Sequence, residues 1–161
     1  MLVLGNVVTR ALRALRWLML LAVTAAAFAE DDLPQGMHPA LVGIDWAQAT
    51  RVEVDLGDHL YEPDRIMLHK GKPYKLTLNN VGRFAHDMVG GSLFDESVIA
   101  LRMVNSNAGR VIADRVNSVY VRPKHTIELW LVPLMEGEYS FYCSLNGHRE
   151  DGMEGVVTIV P

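Results

Sequence analysis

The chain contains a single cysteine among its 161 residues, Cys143, so it cannot close a disulfide bond within one copy. It also lacks an excess of basic residues: 15 Lys and Arg stand against 19 Asp and Glu, and the formal net charge is −4. Internal repeats and low-complexity tracts are absent as well. An acidic balance argues against a nucleic-acid partner and favours soluble, basic ones.

Long apolar runs are missing too. The longest candidate, Trp17–Ala29, is shorter than the roughly 20 residues that span a bilayer. The residues before it carry three arginines and no acid, and Ala27-Phe28-Ala29 before Glu30 fits the small-x-small pattern of a cleavage site. We therefore predict that residues 1–29 are a cleaved signal peptide and that the protein is exported, to the periplasm in a Gram-negative cell. Membrane attachment is expected only if the signal is not cleaved.

Cleavage would leave 132 residues and change the net charge from −4 to −7, because all three charges lost are basic. This length suits one domain with its own core, expected as a monomer. We predict an N-terminal lead over residues 30–50 and the domain over residues 51–161. In an exported protein, a lone cysteine is either a free thiol or a metal ligand.

Short strand patterns recur through the domain. Apolar and polar residues alternate over residues 51–56 and again over residues 74–78, with turn residues such as Gly57-Asp58 between segments. Residues 126–132 are apolar on both faces except at Thr126 and Glu128, which predicts a central strand covered on both sides. Together these segments predict an all-β sandwich.

One segment departs from this pattern. Ser92-Leu93-Phe94-Asp95 has the form of a helix capping box, with apolar residues at roughly helical spacing after it and a polar stop at Asn105–Gly109. Residues 92–117 are therefore predicted to form a largely helical insertion between strands.

A run of soft or borderline metal donors lies near the end of the chain. Cys143, His148 and Met153 follow one another with four residues between each pair, after one strand-like run and before another. Two His and one Cys with a weak, distant axial Met form the ligand set of a blue-copper electron-transfer site. The loop supplies every member of that set except the second histidine.

A candidate for this histidine is His86, which follows an alternating strand and an Asn-Asn-x-Gly turn. No spacing rule joins it to residues more than fifty positions away. The two segments together resemble the cupredoxin family, the blue-copper proteins that include plastocyanin, azurin, pseudoazurin and auracyanin. In that family a strand-end His, usually followed by Asn or Asp, joins a C-terminal Cys…His…Met loop. The resemblance covers about Arg51 to Pro161.

The resemblance implies a Greek-key β-sandwich that holds one copper ion per chain, cycling between Cu(I) and Cu(II). His86, Cys143 and His148 would be its equatorial ligands and Met153 its axial ligand, with His148 as the port through which electrons pass. Asp87 stands where the family often has Asn. It would bridge the two ligand segments, and its charge would favour Cu(II) and lower the reduction potential.

Several neighbours of the ligands carry further expectations. A backbone N–H of Ser144 or Leu145 is expected to donate to the thiolate. Three bulky residues are expected to form a dry shell around the site: Phe84, Phe141 and Tyr142. Leu145, Met88 and Met135 are candidates for a small apolar patch. The remaining histidines lack ligand spacing and are not predicted to join this site: His38, His59, His69 and His125. Met37-His38, near the expected mature N-terminus, is left open as a weak accessory copper site.

The predicted function is single-electron transport between redox proteins, with a c-type cytochrome, an oxidase or a reductase as partner. A copper-tolerance or copper-homeostasis protein in the periplasm is the alternative, because the same ligands would serve it. No catalytic residue is predicted. Multicopper oxidases need further domains and a His-Cys-His signature, a binuclear copper centre needs a second Cys, and nothing supplies the oxyanion hole of a thiol hydrolase.

Overall fold

A computed structural model describes residues 37–107, 109–111, 116–145 and 147–161. Along these ranges the chain forms two β-sheets and a few 3-10 turns. The predicted signal peptide, residues 1–29, lies outside the described part of the chain. Within that part, no helix has both the length and the apolar character needed to cross a membrane.

The two sheets are built from eleven strands in the described ranges. The six-stranded sheet contains β1 (Thr50–Gly57), β2 (Leu60–Glu62), β4 (Tyr74–Asn80), β6 (Ile99–Ser106), β7 (Gly109–Val111) and β9 (Thr126–Pro133), in the order β2-β1-β4-β9-β6-β7. The five-stranded sheet contains β3 (Arg65–His69), β5 (His86–Val89), β8 (Ser118–Val121), β10 (Gly137–Tyr142) and β11 (Glu154–Val160), in the order β3-β11-β10-β5-β8. The β1–β4 and β3–β11 pairs are parallel and the others are antiparallel.

The core fills the space between the sheets because apolar side chains alternate along the strands. In β1, Val54 and Leu56 are fully buried while Asp55 between them is exposed, as the period of two predicts. Residues from both sheets meet in one cluster that contains Leu78 and Leu129 of the first sheet and Phe141 of the second. The predicted all-β sandwich is confirmed. The predicted central strand is β9, which lies between β4 and β6.

The prediction of a largely helical insertion over residues 92–117 is wrong for the residues described there. Gly91–Phe94 forms one 3-10 turn, and β6 and β7 follow. The physical reason lies in β6, which pairs along its length with β9 and shifts register between Leu101 and Met103. Such a bulge interrupts the period of two, so the buried positions were spaced in a way that imitates a helix. Residues 112–115 lie outside the described ranges.

The end of the predicted lead packs on the outer face of the six-stranded sheet. Two 3-10 turns, Pro39–Leu41 and Trp46–Gln48, precede β1. Leu41 forms a second small apolar cluster with Ala100 of β6 and Val132 of β9. These two residues alternate with neighbours that face the main core, so the cluster covers the opposite side of the sheet.

The topology brings two distant segments together at one end of the five-stranded sheet. β5 and β10 are antiparallel neighbours, with Tyr142 opposite Val89. The chain that leaves β10 at Cys143 therefore runs beside β5 towards His86. Residues 57 positions apart in sequence become neighbours in this way.

Candidate metal centre

The loop between β10 and β11 is closed by its own backbone. Cys143 N–H donates to the carbonyl of Met153 at 3.0 Å, and Met153 N–H donates to the carbonyl of His148 at 2.9 Å. A third bond, from His148 N–H to the carbonyl of Leu145, closes the turn before the histidine. The three candidate ligands of this loop are thus fixed to one another through main-chain bonds. Asn146 is outside the described residues.

Three predicted ligands converge on one point. One donor atom from each of His86, Cys143 and His148 lies within 4.8 Å of the other two. Both imidazoles turn Nδ1 towards the sulfur, at 4.0 Å for His86 and 3.4 Å for His148. Cys143 and His86 are fully buried and His148 is 4% exposed. Met153 is also fully buried, in the same apolar cluster as Cys143.

This donor set fits copper. Two imidazole nitrogens and one thiolate, with a thioether in the same cluster, form the ligand group that accommodates copper in both oxidation states, whereas zinc sites are built from Cys, His and carboxylates. His86 also has a buried Nε2 without a hydrogen-bond partner. The nearest carboxylate oxygen, Asp58 Oδ1, is 3.8 Å away, beyond hydrogen-bond range. With a cation at Nδ1, the proton of the neutral ring would be on Nε2, the nitrogen that faces Asp58 Oδ1.

Burial controls the protonation of these groups. It raises the pKa of the Cys143 thiol, while the backbone N–H groups of Asp87 and Leu145 act in the opposite direction by hydrogen bonding to the sulfur. Burial, together with the neighbouring His148, lowers the pKa of His86. A neutral imidazole can donate a nitrogen lone pair to a cation. A buried thiol loses its proton when a cation binds to the sulfur.

Asp87 bridges the two ligand segments, as predicted. Its Oδ1 accepts the backbone N–H of Ser144 at 2.7 Å and its Oδ2 accepts the Ser144 hydroxyl at 2.7 Å. The Ser144 N–H is therefore occupied by this carboxylate, whereas the backbone N–H of Leu145 is one of two groups that act to lower the pKa of the Cys143 thiol. Asp87 also holds the scaffold through its carbonyl, which accepts the hydroxyl of buried Tyr61.

The expected electron port at His148 is covered. His59 lies over it, with ring centroids 4.7 Å apart and planes 31° apart, and the His59 Nδ1 is 2.6 Å from Asp151 Oδ2. His59 occupies the two-residue turn between β1 and β2 with a positive φ of 70°. No spacing signal links this turn to a loop ninety positions later, so sequence reasoning gave His59 no role.

The aromatic and apolar neighbours only partly match expectation. Phe141 is fully buried, but Phe84 is 49% exposed beside His148, so it belongs to the surface and not to a dry shell. Met88 is buried in the core. Met135 lies in the turn before β10, at the end of that strand opposite Cys143. Neither methionine can contribute to an apolar patch at the metal centre.

Comparison with known proteins agrees with this architecture. The family described as a cupredoxin-like domain matches residues 14–159. The copper-resistant cuproprotein CopI of Pseudomonas aeruginosa is 27% identical over 143 residues, which cover 71% of this chain and 79% of CopI.

Solved structures share the fold at low identity. Reduced auracyanin of Roseiflexus castenholzii is 20% identical with a TM-score of 0.50, and the match covers 70% of this chain and 98% of auracyanin. The multicopper oxidase McoA of Aquifex aeolicus is 12% identical with a TM-score of 0.55, over 73% of this chain and 31% of the oxidase.

Proposed function

The chain belongs to the cupredoxin-like family, and from that premise we propose that it is an exported copper protein that carries single electrons between redox partners. His86, Cys143 and His148 are the proposed principal ligands, and Met153 supplies a weaker fourth donor. When bound there, copper supplies a one-electron couple between Cu(I) and Cu(II).

The observation that carries the proposal is the convergence of the three donor atoms within 4.8 Å, from two segments that no local motif connects. A core gains nothing from placing a thiol against two imidazoles, whereas a metal site requires it. The family membership and the donor chemistry support the same metal.

The chain's own residues keep the donors in place when the charge of the site changes. Main-chain bonds close the Cys143–Met153 loop, and the Asp87 carboxylate ties this loop to β5. Ligands held in this way need little rearrangement when an electron arrives or leaves, and small rearrangement favours fast transfer. The backbone N–H groups of Asp87 and Leu145 favour the thiolate, whereas burial of Cys143 raises the pKa of its thiol.

The direct test is a visible absorption spectrum of the purified protein after addition of Cu(II), compared with that of Cys143→Ser. We expect an intense thiolate-to-copper charge-transfer band in the wild type and none in the variant. Met67→Leu, which changes a methionine that is 65% exposed on β3, is the matched control and should retain the band. A wild type that binds no copper and keeps a freely titratable thiol would refute the proposal.

Copper tolerance is a second candidate because the Pseudomonas aeruginosa relative is named for copper resistance. The same ligands would then sequester copper in the periplasm, or oxidise Cu(I) to Cu(II) by passing its electron to an acceptor protein. Deletion of the gene separates the two functions. Copper-sensitive growth with normal respiration favours tolerance, and a respiratory defect at ordinary copper concentration favours electron transport.

The remaining parts of the proposal follow from these functions. A carrier would meet a c-type cytochrome, an oxidase or a reductase, and would act as a monomer with no catalytic residue of its own. Residues 1–29 would direct export and be removed, which mass spectrometry of the protein isolated from the periplasm would show as a mature chain beginning at Glu30.

A further inference from the structure

We propose that His59, held by Asp151, is the residue through which electrons reach the metal centre, in place of the edge of His148. This inference rests on the proposed electron-carrier function. It assigns electron entry to a residue outside the proposed ligand set.

Access to the ligands decides which group an electron donor can touch. The three proposed principal ligands are between fully buried and 4% exposed, whereas the side chain of His59 is 40% exposed. Its ring contacts the ring of His148 at a centroid distance of 4.7 Å. A protein that docks over this end of the sandwich therefore meets His59 before it can meet His148.

The position of His59 is held from both sides. Asp151 Oδ2 lies 2.6 Å from its Nδ1. Asp151 belongs to the same loop as His148, since its N–H donates to the carbonyl of Gly147. The ring of His59 thus lies between a ligand and a carboxylate of one short loop, although it comes from a different hairpin.

Phe84 is the other aromatic residue beside His148, and it fits the role less well. Its ring centroid is 6.5 Å from that of His148, against 4.7 Å for His59. Arg83 lies over its ring and is itself paired with Asp58. Phe84 is therefore the matched control, because it is an exposed ring at the same site without the close contact.

The experiment measures electron self-exchange between two copper-loaded copies, at an ionic strength that screens the repulsion between acidic chains. His59→Gly removes the ring and relieves the backbone, so the variant should fold. It leaves a recess that a second protein molecule cannot fill, so we expect self-exchange to slow by about tenfold, which corresponds to about 1.4 kcal/mol of activation free energy. His59→Phe, which restores a ring, should recover the rate, and Phe84→Ala should leave it unchanged.

A small redox reagent distinguishes loss of contact between protein molecules from damage to the copper site. Hexaammineruthenium can enter the recess, so its reaction with the copper centre should not slow in His59→Gly. Unchanged self-exchange in His59→Gly, an equal fall in Phe84→Ala, or no recovery in His59→Phe would each overturn the role of the His59 ring. The charge-transfer band is recorded first: its absence from the wild type would overturn the electron-carrier function itself, whereas an intact band with unchanged exchange overturns only this inference.

Discussion

Replacing Asp87 by alanine removes the side chain that joins the two segments of the candidate metal centre. The carboxylate is 6% exposed and accepts two hydrogen bonds of 2.7 Å from Ser144. Hydrogen bonds to an ionised group contribute about 1.5–3 kcal/mol each. The hydroxyl of the exposed Ser144 can turn to water, so its bond belongs at the lower end of that range. We therefore expect Asp87→Ala to lower the free energy of unfolding of the copper-free protein by about 3 kcal/mol.

Asp87→Asn separates the bridge from its charge. The amide oxygen still accepts the Ser144 N–H, and the amide nitrogen can donate to the Ser144 hydroxyl, so the bridge persists with neutral bonds. We expect a loss of about 1 kcal/mol, because neutral hydrogen bonds contribute about half as much as charged ones. In the copper-loaded protein, loss of a negative charge beside the thiolate should raise the reduction potential.

The assay is guanidinium unfolding of the copper-free wild type and both variants, with potentials measured by redox titration of the loaded forms. The slope of free energy against denaturant should be unchanged, so that the midpoint alone reports stability. Equal stability of Asp87→Ala and Asp87→Asn would refute the bridging argument, and an unchanged potential in Asp87→Asn would refute the electrostatic one.

Three further changes test other parts of the structure. Met153→Leu conserves volume at a fully buried site, so the copper-free protein should lose less than about 1.5 kcal/mol while the spectrum and potential of the loaded form shift; an unchanged spectrum would remove Met153 from the ligand set. Gly155→Ala places a Cβ against the carbonyl of Asp64 and the ring of buried Phe141, so denaturant unfolding should show a loss of about 1–3 kcal/mol, with Thr158→Ala on the same strand as the milder control. Arg83 holds the pKa of Asp58 at about 2, below its ordinary value of 3.8. The pair therefore stabilises the fold when the pH is above the ordinary pKa of Asp58, and this stabilisation is lost as the pH falls towards 2. The difference in thermal stability between wild type and Arg83→Gln should therefore shrink from pH 4 to pH 2, and a constant difference would contradict the assignment.

Local patterns in the sequence predicted most of the fold. Strands such as β1 and β4 bury one face, and their period of two is visible in the residues themselves. The failure at residues 92–117 also has a local cause, because the bulge in β6 between Leu101 and Met103 displaced the buried positions from that period. Propensity and spacing could not reveal the pairing with β9 that fixes this segment as strand.

Prediction of the proposed ligand set depended on two different kinds of information, local spacing and resemblance to a family. The spacing of Cys143, His148 and Met153 is local, so chemistry alone could indicate a metal loop. His86 became a candidate only through resemblance to a family, because its approach to Cys143 is produced by the pairing of β5 with β10. Neither spacing nor family resemblance indicated that His59 would cover His148. This cover depends on how the turn after β1 meets the C-terminal loop, and that contact arises only from the packed sandwich.

Metal exchange and electron exchange make different demands on this enclosed site. An electron donor needs only to approach His59, whereas a copper ion must pass the covering ring or wait for the loop to open. A protein that hands copper directly to another must expose at least one ligand to attack.

With the proposed ligands fully buried or 4% exposed, extraction of Cu(I) by a chelator should reach a limiting rate that is set by local opening and is independent of chelator concentration. A rate that rises linearly with chelator concentration would show that ligands are accessible in the closed state. Saturation would restrict the tolerance function to storage or oxidation of copper, because a site that must open before it releases copper retains its metal better than it delivers it.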